Sequence, residues 1–300
     1  MKILFGLITS DNDTQREQAA EAKLVSAQLG VAVETVCAEG DSVRQCLQLL
    51  EAIQSKSRAP NGIIFDPVTA TGLPQVARAA VAAGIAWCVL DLRPSYLSEL
   101  RNHPSAVVFG IGCDQTQVGR VQGRQLEKVL ATGSGGNVLL IQGPSQNLAA
   151  RARAEGFEET RPGNINVRIL KGKWTEESGY AAVKSYLALS IARACDFRAV
   201  VAQSDMMAMG ARRAFEEVSD DSERQAWLAL PFLGADGLPK TGQAWVLSNK
   251  LRSTVIIPLT AGRALRMMVD AIAKKKIPPE YLETAPQPFP AIEALQDKLP

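Results

Sequence analysis

Short unbroken apolar runs alternate along the chain with longer segments whose apolar residues recur every three or four positions. Residues 3–8 form the first run, apolar on both sides, as a strand covered by helices on both faces requires. The segment behind it carries Ala20, Leu24 and Ala27 at helical spacing and stops at Gly30, with a second strand at 31–36. Ser42 and Gln45 have the S-x-x-Q spacing of a capping box, and Val43, Leu47 and Leu50 supply the apolar stripe of the helix that follows. Strands are predicted at 62–65, 85–90 and 106–111, and Pro74 suits the first turn of the helix between the first two of these.

The second half repeats the pattern. Strands are predicted at 137–141, 167–170, 199–202, 231–234 and 254–257. Helices fall at 151–160, along Tyr180, Val183, Leu187 and Ile191, through Met209 and Ala214, and along Leu265, Met268 and Ile272. Strand–helix alternation of this length means an α/β fold of two doubly wound parallel-sheet lobes. Ligands of such sheets bind outside the carboxyl ends of the strands, so the residues there are the candidates. In the first half they are Asn12, Thr14 and Gln15 after the first strand, Asp66 after the third, and Asp91 and Arg93 after the fourth. In the second half the run 142–147 follows its first strand, then come Trp174, then Ser204 and Asp205, then Asp236. One such residue at a strand end is ordinarily a turn former or helix cap. Polar side chains collected at the same edge of both halves point to a binding site.

The 300 residues are 46% hydrophobic and 21% charged with a net charge of +2, a composition that excludes disorder and disulfide scaffolds and leaves room for two cores. Charge is not clustered beyond Lys274, Lys275 and Lys276, so phosphate-backbone binding, which needs clustered cations, is not expected. No apolar stretch approaches the roughly 20 residues of a membrane span. The five cysteines, Cys37, Cys46, Cys88, Cys113 and Cys195, contain no C-x-x-C pair and read as reduced, mostly buried thiols, not as metal ligands. Met1, Lys2 and the apolar residues behind them are too short for a signal sequence and read as the first strand.

Enzyme motifs fail one by one. Gly110-Ile111-Gly112 opens like a dinucleotide fingerprint, but Gln115 stands at its third glycine. The glycines around 133–136 precede a strand and read as a turn. Gly237 and Gly242 have phosphate-loop spacing, but Gln243 and Ala244 replace the lysine and the hydroxyl that bind phosphate and Mg²⁺. His103 is the sole histidine and sits in a loop, so no imidazole base is available to a serine or cysteine nucleophile. No catalytic residue, cofactor or metal is expected.

The same strand-end segments carry a family likeness. Residues 140–157, with Arg151, Arg153, Gly156 and Phe157, look like an R-x-x-G-F region. Residues 203–211 are close to N-D-x-M-A-x-G-A. Gly234, Asp236 and Gly237 match G-x-D-G, and Gly112, Asp114 and Gln115 stand where the second lobe begins. The chain resembles the type I periplasmic binding proteins of the ribose/galactose kind, whose fold is shared with the sensor domains of lactose-repressor-type regulators. That resemblance implies two lobes joined by a three-strand hinge: residues 1–112 with about 258–283, and 113–257 with about 284–300. It also implies closure over a small sugar without chemistry. Asn12, Asp66, Asp91, Arg151, Trp174, Ser204 and Asp236 fall on the family's ligand-contacting positions, while Arg153 corresponds to an ion-pair partner inside its lobe.

The sequence departs from the pattern in four places. Thr14 and Gln15 stand where a pair of aromatics is usual, and Leu92 displaces the arginine after Asp91 to Arg93. Ser204 replaces an asparagine, and Ile256 or Ile257 a glutamine. A polyol or a differently substituted sugar is therefore open as ligand. The expected role is that of a monomeric ABC-importer receptor working with a membrane permease; the alternative is a sensor signalling to a regulator or kinase. Location follows Met1: periplasmic, as the resemblance implies, if a leader was trimmed, and cytoplasmic if Met1 is the native start.

Overall fold

The computed structural model describes residues 1–55, 57–103, 106–130, 135–189 and 194–298. In chain order the first part runs β1 (Lys2–Leu7), α1 (Asp13–Leu29), β2 (Ala32–Cys37), α2 (Ser42–Gln54), β3 (Gly62–Phe65), α3 (Pro74–Ala82), β4 (Ala86–Leu90), α4 (Tyr96–Arg101) and β5 (Val108–Cys113). The second runs α5 (Gln115–Val129), β6 (Gly136–Gln142), α6 (Leu148–Thr160), β7 (Ile165–Lys171), α7 (Glu176–Leu187), β8 (Phe197–Ala202), α8 (Asp205–Glu216), α9 (Asp221–Ala229), β9 (Phe232–Leu233), α10 (Ala244–Leu247) and β10 (Thr254–Ile256). The chain ends with α11 (Ala261–Lys274), β11 (Tyr281–Thr284) and β12 (Gln287–Phe289). It divides into two compact units, residues 1–113 with 258–284 and residues 114–257 with 285–300.

The first unit holds a six-stranded sheet in the order β11-β5-β4-β3-β1-β2, with every pairing parallel. Alternation along β1 sends Ile3, Phe5 and Leu7 to the face covered by α1 and α11, where Ala22, Val25, Leu265 and Met268 meet them. Leu4 goes to the other face with Leu49, Ile53, Val76 and Trp87. The second unit holds a parallel sheet, β7-β6-β8-β9, and the pair β10-β12, which is antiparallel. Its larger core centres on Trp227, stacked on Phe215 at 4.5 Å.

Two helices bury faces other than those the periodicity predicts. On α1, Leu24 is 61% exposed, and the buried side instead carries Gln15, Gln18, Ala22 and Val25. The cause is polar: Gln18 Oε1 accepts from the backbone N–H groups of Thr260 and Ala261, capping the start of α11, and Glu21 accepts from Gly262 N. On α2 the N-cap is Asp41, whose carboxylate accepts from Val43 N and Arg44 N, so Ser42 already lies inside the helix. Val43 and Leu47 are exposed, while Leu49, Ile53 and Gln45 are buried. Gln45 does not close a capping box; it spans from Asp66 O, to which it donates, to Val68 N, from which it accepts.

Six elements lie outside the apolar-run pattern: α4, α5, α9, α10, β11 and β12. Strand β11 extends the first sheet by pairing with β5. Cys37, Cys46, Cys88 and Cys113 are free thiols, two of them half-buried and two buried. The Cys195 side chain and residues 133 and 134 of the glycine turn lie outside the described residues. Among the described residues no helix is long and apolar enough to cross a membrane.

Glycines set how closely the helices of the second unit approach. A Cβ on Gly156 of α6 would overlap the Thr116 carbonyl of α5, and one on Gly119 would overlap the Arg153 carbonyl. The two helices therefore pack backbone against backbone at the turn that carries Arg153. Replacing Gly156 with Ala should force them apart and destabilise the second unit by about 1–3 kcal/mol, the usual cost of overpacking, with no effect on the unfolding of the first. Urea unfolding followed by Trp227 fluorescence checks this.

Candidate functional site

In the first unit the carboxyl ends of β1, β3 and β4 present a set of polar side chains in one row. Asn12 caps α1, its Oδ1 accepting from Gln15 N at 3.3 Å. Thr14, in the first turn of that helix, has a buried hydroxyl that makes no hydrogen bond within the described structure. Gln15 is buried with both ends occupied: Oε1 accepts from Ile8 N at 2.9 Å, and Nε2 donates to Asp66 Oδ2 at 2.6 Å. Asp66 is buried. Burial first, and then the negative charge of Asp91, push its carboxyl well above the usual range, and the Gln15 bond opposes them. Asp91 adopts φ 50°, and its Oδ1 accepts from Cys113 N at 3.3 Å. Arg93 turns elsewhere: it pairs with Glu280 at 3.1 Å, lies over the Tyr281 ring and is largely exposed.

In the second unit the site is built around a buried guanidinium. Arg153, 7% exposed, projects from α6 into a ring of partners. Its Nε donates to Gln115 Oε1 at 2.8 Å, Nη1 donates to the Gln203 carbonyl, and Nη1 lies 3.5 Å from Asp236 Oδ1. The guanidinium carbon stands 5.1 Å from the centre of the Trp174 ring, a cation–π contact. Trp174 has φ 70°, and its ring fills the space that a Cβ on Gly143 would need. Asp236 has φ 111° and is also buried. Gln203 completes the frame, accepting from Gly143 N and donating to Ala150 O.

The other expected residues sit differently. Arg151 is exposed on α6. Ser204 is buried as the N-cap of α8, its hydroxyl accepting from Met207 N. Asp205 is buried, with both oxygens bonded inside the unit. The sequence reading gave Arg153 an ion pair inside its lobe, and the structure contains that pair with Asp236. It also places Arg153, not Arg151, against the Trp174 ring. They stand two positions apart, and the signal that distinguishes them is helical phase: Arg153 shares a face with the buried Ala150 and Phe157, Arg151 does not. Gln115 and Gln203 fell within the segments that carry the family likeness, but nothing in the sequence showed that they bond Arg153.

A family model described as a periplasmic binding protein domain matches residues 3–277. The chain belongs to the periplasmic binding protein family. No curated protein matches it in sequence. Solved structures of similar fold include a galactofuranose binding protein, with a TM-score of 0.83, 20% identity, and 99% of this chain and 96% of that one covered. The binding protein of the arabinose ABC transporter from Shewanella sp. ANA-3, bound to α- and β-L-arabinofuranose, has a TM-score of 0.81, 21% identity, and 99% and 94% covered. The fructose binding periplasmic domain of a hybrid two component system has a TM-score of 0.77, 20% identity, and 99% and 93% covered. In this periplasmic binding protein the departures from the sequence pattern are physical ones: Gln15 serves Asp66, and Arg93 serves Glu280.

The raised carboxyl of Asp66 has a consequence for stability. A folded-state pKa above the unfolded value means the native protein holds its proton more tightly. The resulting stabilisation is complete below the unfolded pKa of about 3.9 and is lost as pH rises through the folded value. Asp66→Asn removes that loss. The variant should therefore gain in melting temperature relative to wild type as pH rises from 4 to 8, in a differential scanning fluorimetry series. A difference that stays constant across the series would show that Asp66 titrates alike in both states.

Proposed function

We propose that this periplasmic binding protein captures a small sugar or sugar-like polyhydroxylated ligand, leaves it chemically unchanged and delivers it to an ABC-type importer. The observation that carries the reading is the buried Arg153–Asp236 pair beside the Trp174 ring. A guanidinium and a carboxylate offer charge-assisted donors and acceptors to adjacent hydroxyls. An indole face accepts the apolar C–H side of a sugar ring. The first unit adds Asn12, Asp66 and Asp91 and the unpaired hydroxyl of Thr14, which a ligand hydroxyl would satisfy. The furanose sugars bound by the galactofuranose and arabinose receptors support this ligand class. Closure of the two units on the ligand, as a monomer, belongs to the same proposal.

A sensing role is the second reading, favoured by the likeness to the fructose binding domain of a hybrid two component system. The genes flanking this one separate the two: permease and ATPase subunits for import, a kinase or regulator for sensing.

Binding is tested by thermal shift against monosaccharides and polyols. A ligand at 100 times its Kd that binds only the folded state adds about 2.7 kcal/mol of stability. A carbohydrate library that gives no shift, while another metabolite class does, would sink the reading.

Arginine variants locate the contact. Arg153→Lys keeps a charge but loses the planar fork and the ring stacking. It should weaken binding at least tenfold, in line with about 1.5–3 kcal/mol for a hydrogen bond to a charged group. Arg151→Ala should change affinity less than twofold. Calorimetric titration reads both, and the reverse order would place Arg151 on the ligand.

A further inference from the structure

We propose that Asp205 does not touch the ligand but positions Asp236 for it, by tying the 234–237 turn to the start of α8. This rests on the reading of Asp236 as a ligand contact. Asp205 is 1% exposed, and its polar atoms bracket Asp236 on both sides. Its backbone N–H donates to Ala235 O at 2.6 Å, and its Oδ2 accepts from Gly237 N at 2.7 Å. The peptide groups before and after Asp236 are therefore both held by one residue. Its other oxygen, Oδ1, accepts from the Thr254 hydroxyl at 2.7 Å, joining the turn to β10.

An aspartate at the first position of a helix is ordinarily explained by the helix dipole. That account leaves out where the oxygens go, since they accept from Gly237 N and Thr254 Oγ1, which lie far away in sequence. The surroundings are also shaped to admit the carboxylate. A Cβ on Gly234 would overlap Oδ1, and a Cβ on Gly242 would overlap Oδ2. The 237–242 spacing that resembles a phosphate loop is thus half of a cage for a protein carboxylate. A π-helical turn, Pro239–Gln243, carries Gly242, and Gln243 Nε2 donates to Gly237 O at 2.7 Å.

Asp236 needs such holding. At φ 111° it occupies backbone space that residues with a Cβ avoid, so surrounding bonds must impose it. Asp236 N donates to Val255 O and Ile257 N donates to Asp236 O, which fix the turn along β10. Asp205 fixes it along α8. Held from both sides, the Asp236 carboxylate lies beside Arg153.

The test is a double-mutant cycle, with D-galactose, L-arabinose, D-allose, D-fructose and myo-inositol as calorimetric probes. Asp205→Ala should weaken binding of the responding sugar at least tenfold in the wild-type background and less than twofold in the Asp236→Ala background. Asp205→Asn, which keeps an oxygen for Gly237 N, should restore affinity to within threefold. Gly242→Ala crowds the carboxylate while leaving Asp205 in place; it should behave like Asp205→Ala and serves if that variant does not fold. Equal losses with and without Asp236, or no loss at all, would overturn the proposal. Amide hydrogen exchange decides without any ligand. In Asp205→Ala, or in Gly242→Ala if that variant does not fold, Gly237 should exchange at least tenfold faster while the amides of β6 and β8 are unchanged. An unaltered Gly237 rate would also overturn the proposal. If no sugar binds wild type, the sugar-binding reading fails, and the exchange result stands by itself.

Discussion

Charge buried at the end of a parallel sheet has to be paired where it lies, and this requirement organises the second unit. A guanidinium withdrawn from water costs several kcal/mol unless partners surround it. Arg153 finds them in Gln115 from α5, the Gln203 carbonyl after β8, Asp236 after β9 and the ring of Trp174 after β7. Four separate segments are thereby committed to one point. A side chain satisfied by so many neighbours is held in one orientation, with little rotamer freedom left to it.

The glycines make this arrangement reachable. Gly119 and Gly156 let α5 and α6 touch through their backbones, which brings Gln115 and Arg153 together. Gly179 of α7 and Gly210 of α8 do the same for the next helix pair, where a Cβ would overlap the Met207 and Glu176 carbonyls. Gly143 makes room for the Trp174 ring. Each removes a methyl group at a place where a polar or aromatic group needs the space.

The first unit meets the same requirement with fewer charges. Among the described residues no guanidinium pairs with Asp66; burial first and then the charge of Asp91 raise its carboxyl, against the bond from the Gln15 amide. Gln15 stands where the family often has an aromatic wall and is committed to Asp66. The strand ends of the first unit therefore carry hydrogen-bonding groups in place of a ring, with the buried Thr14 hydroxyl left without a partner among the described residues.

The parallel sheets, the alternation of helices and the strand ends carrying Asn12, Asp66, Asp91, Trp174 and Asp236 were all legible in the sequence. Those features depend on local periodicity and on where an apolar run stops. The buried faces of α1 and α2 were not legible, because Gln18 and Gln45 are buried to bond distant backbone, and a polar residue carries no mark of burial in its own neighbourhood. Strands β11 and β12 escaped for a related reason: short and mixed in polarity, they are strands only because β5 and β10 stand ready to pair. The roles at the site divide in the same way. Sequence placed Ser204 and Asp205 at a strand end, and the family resemblance implied a ligand contact for Arg151 and an ion pair for Arg153. Tertiary structure decided that Arg153 meets the Trp174 ring and that Asp205 serves Gly237, 32 residues on, since these partners meet only once the sheet has formed.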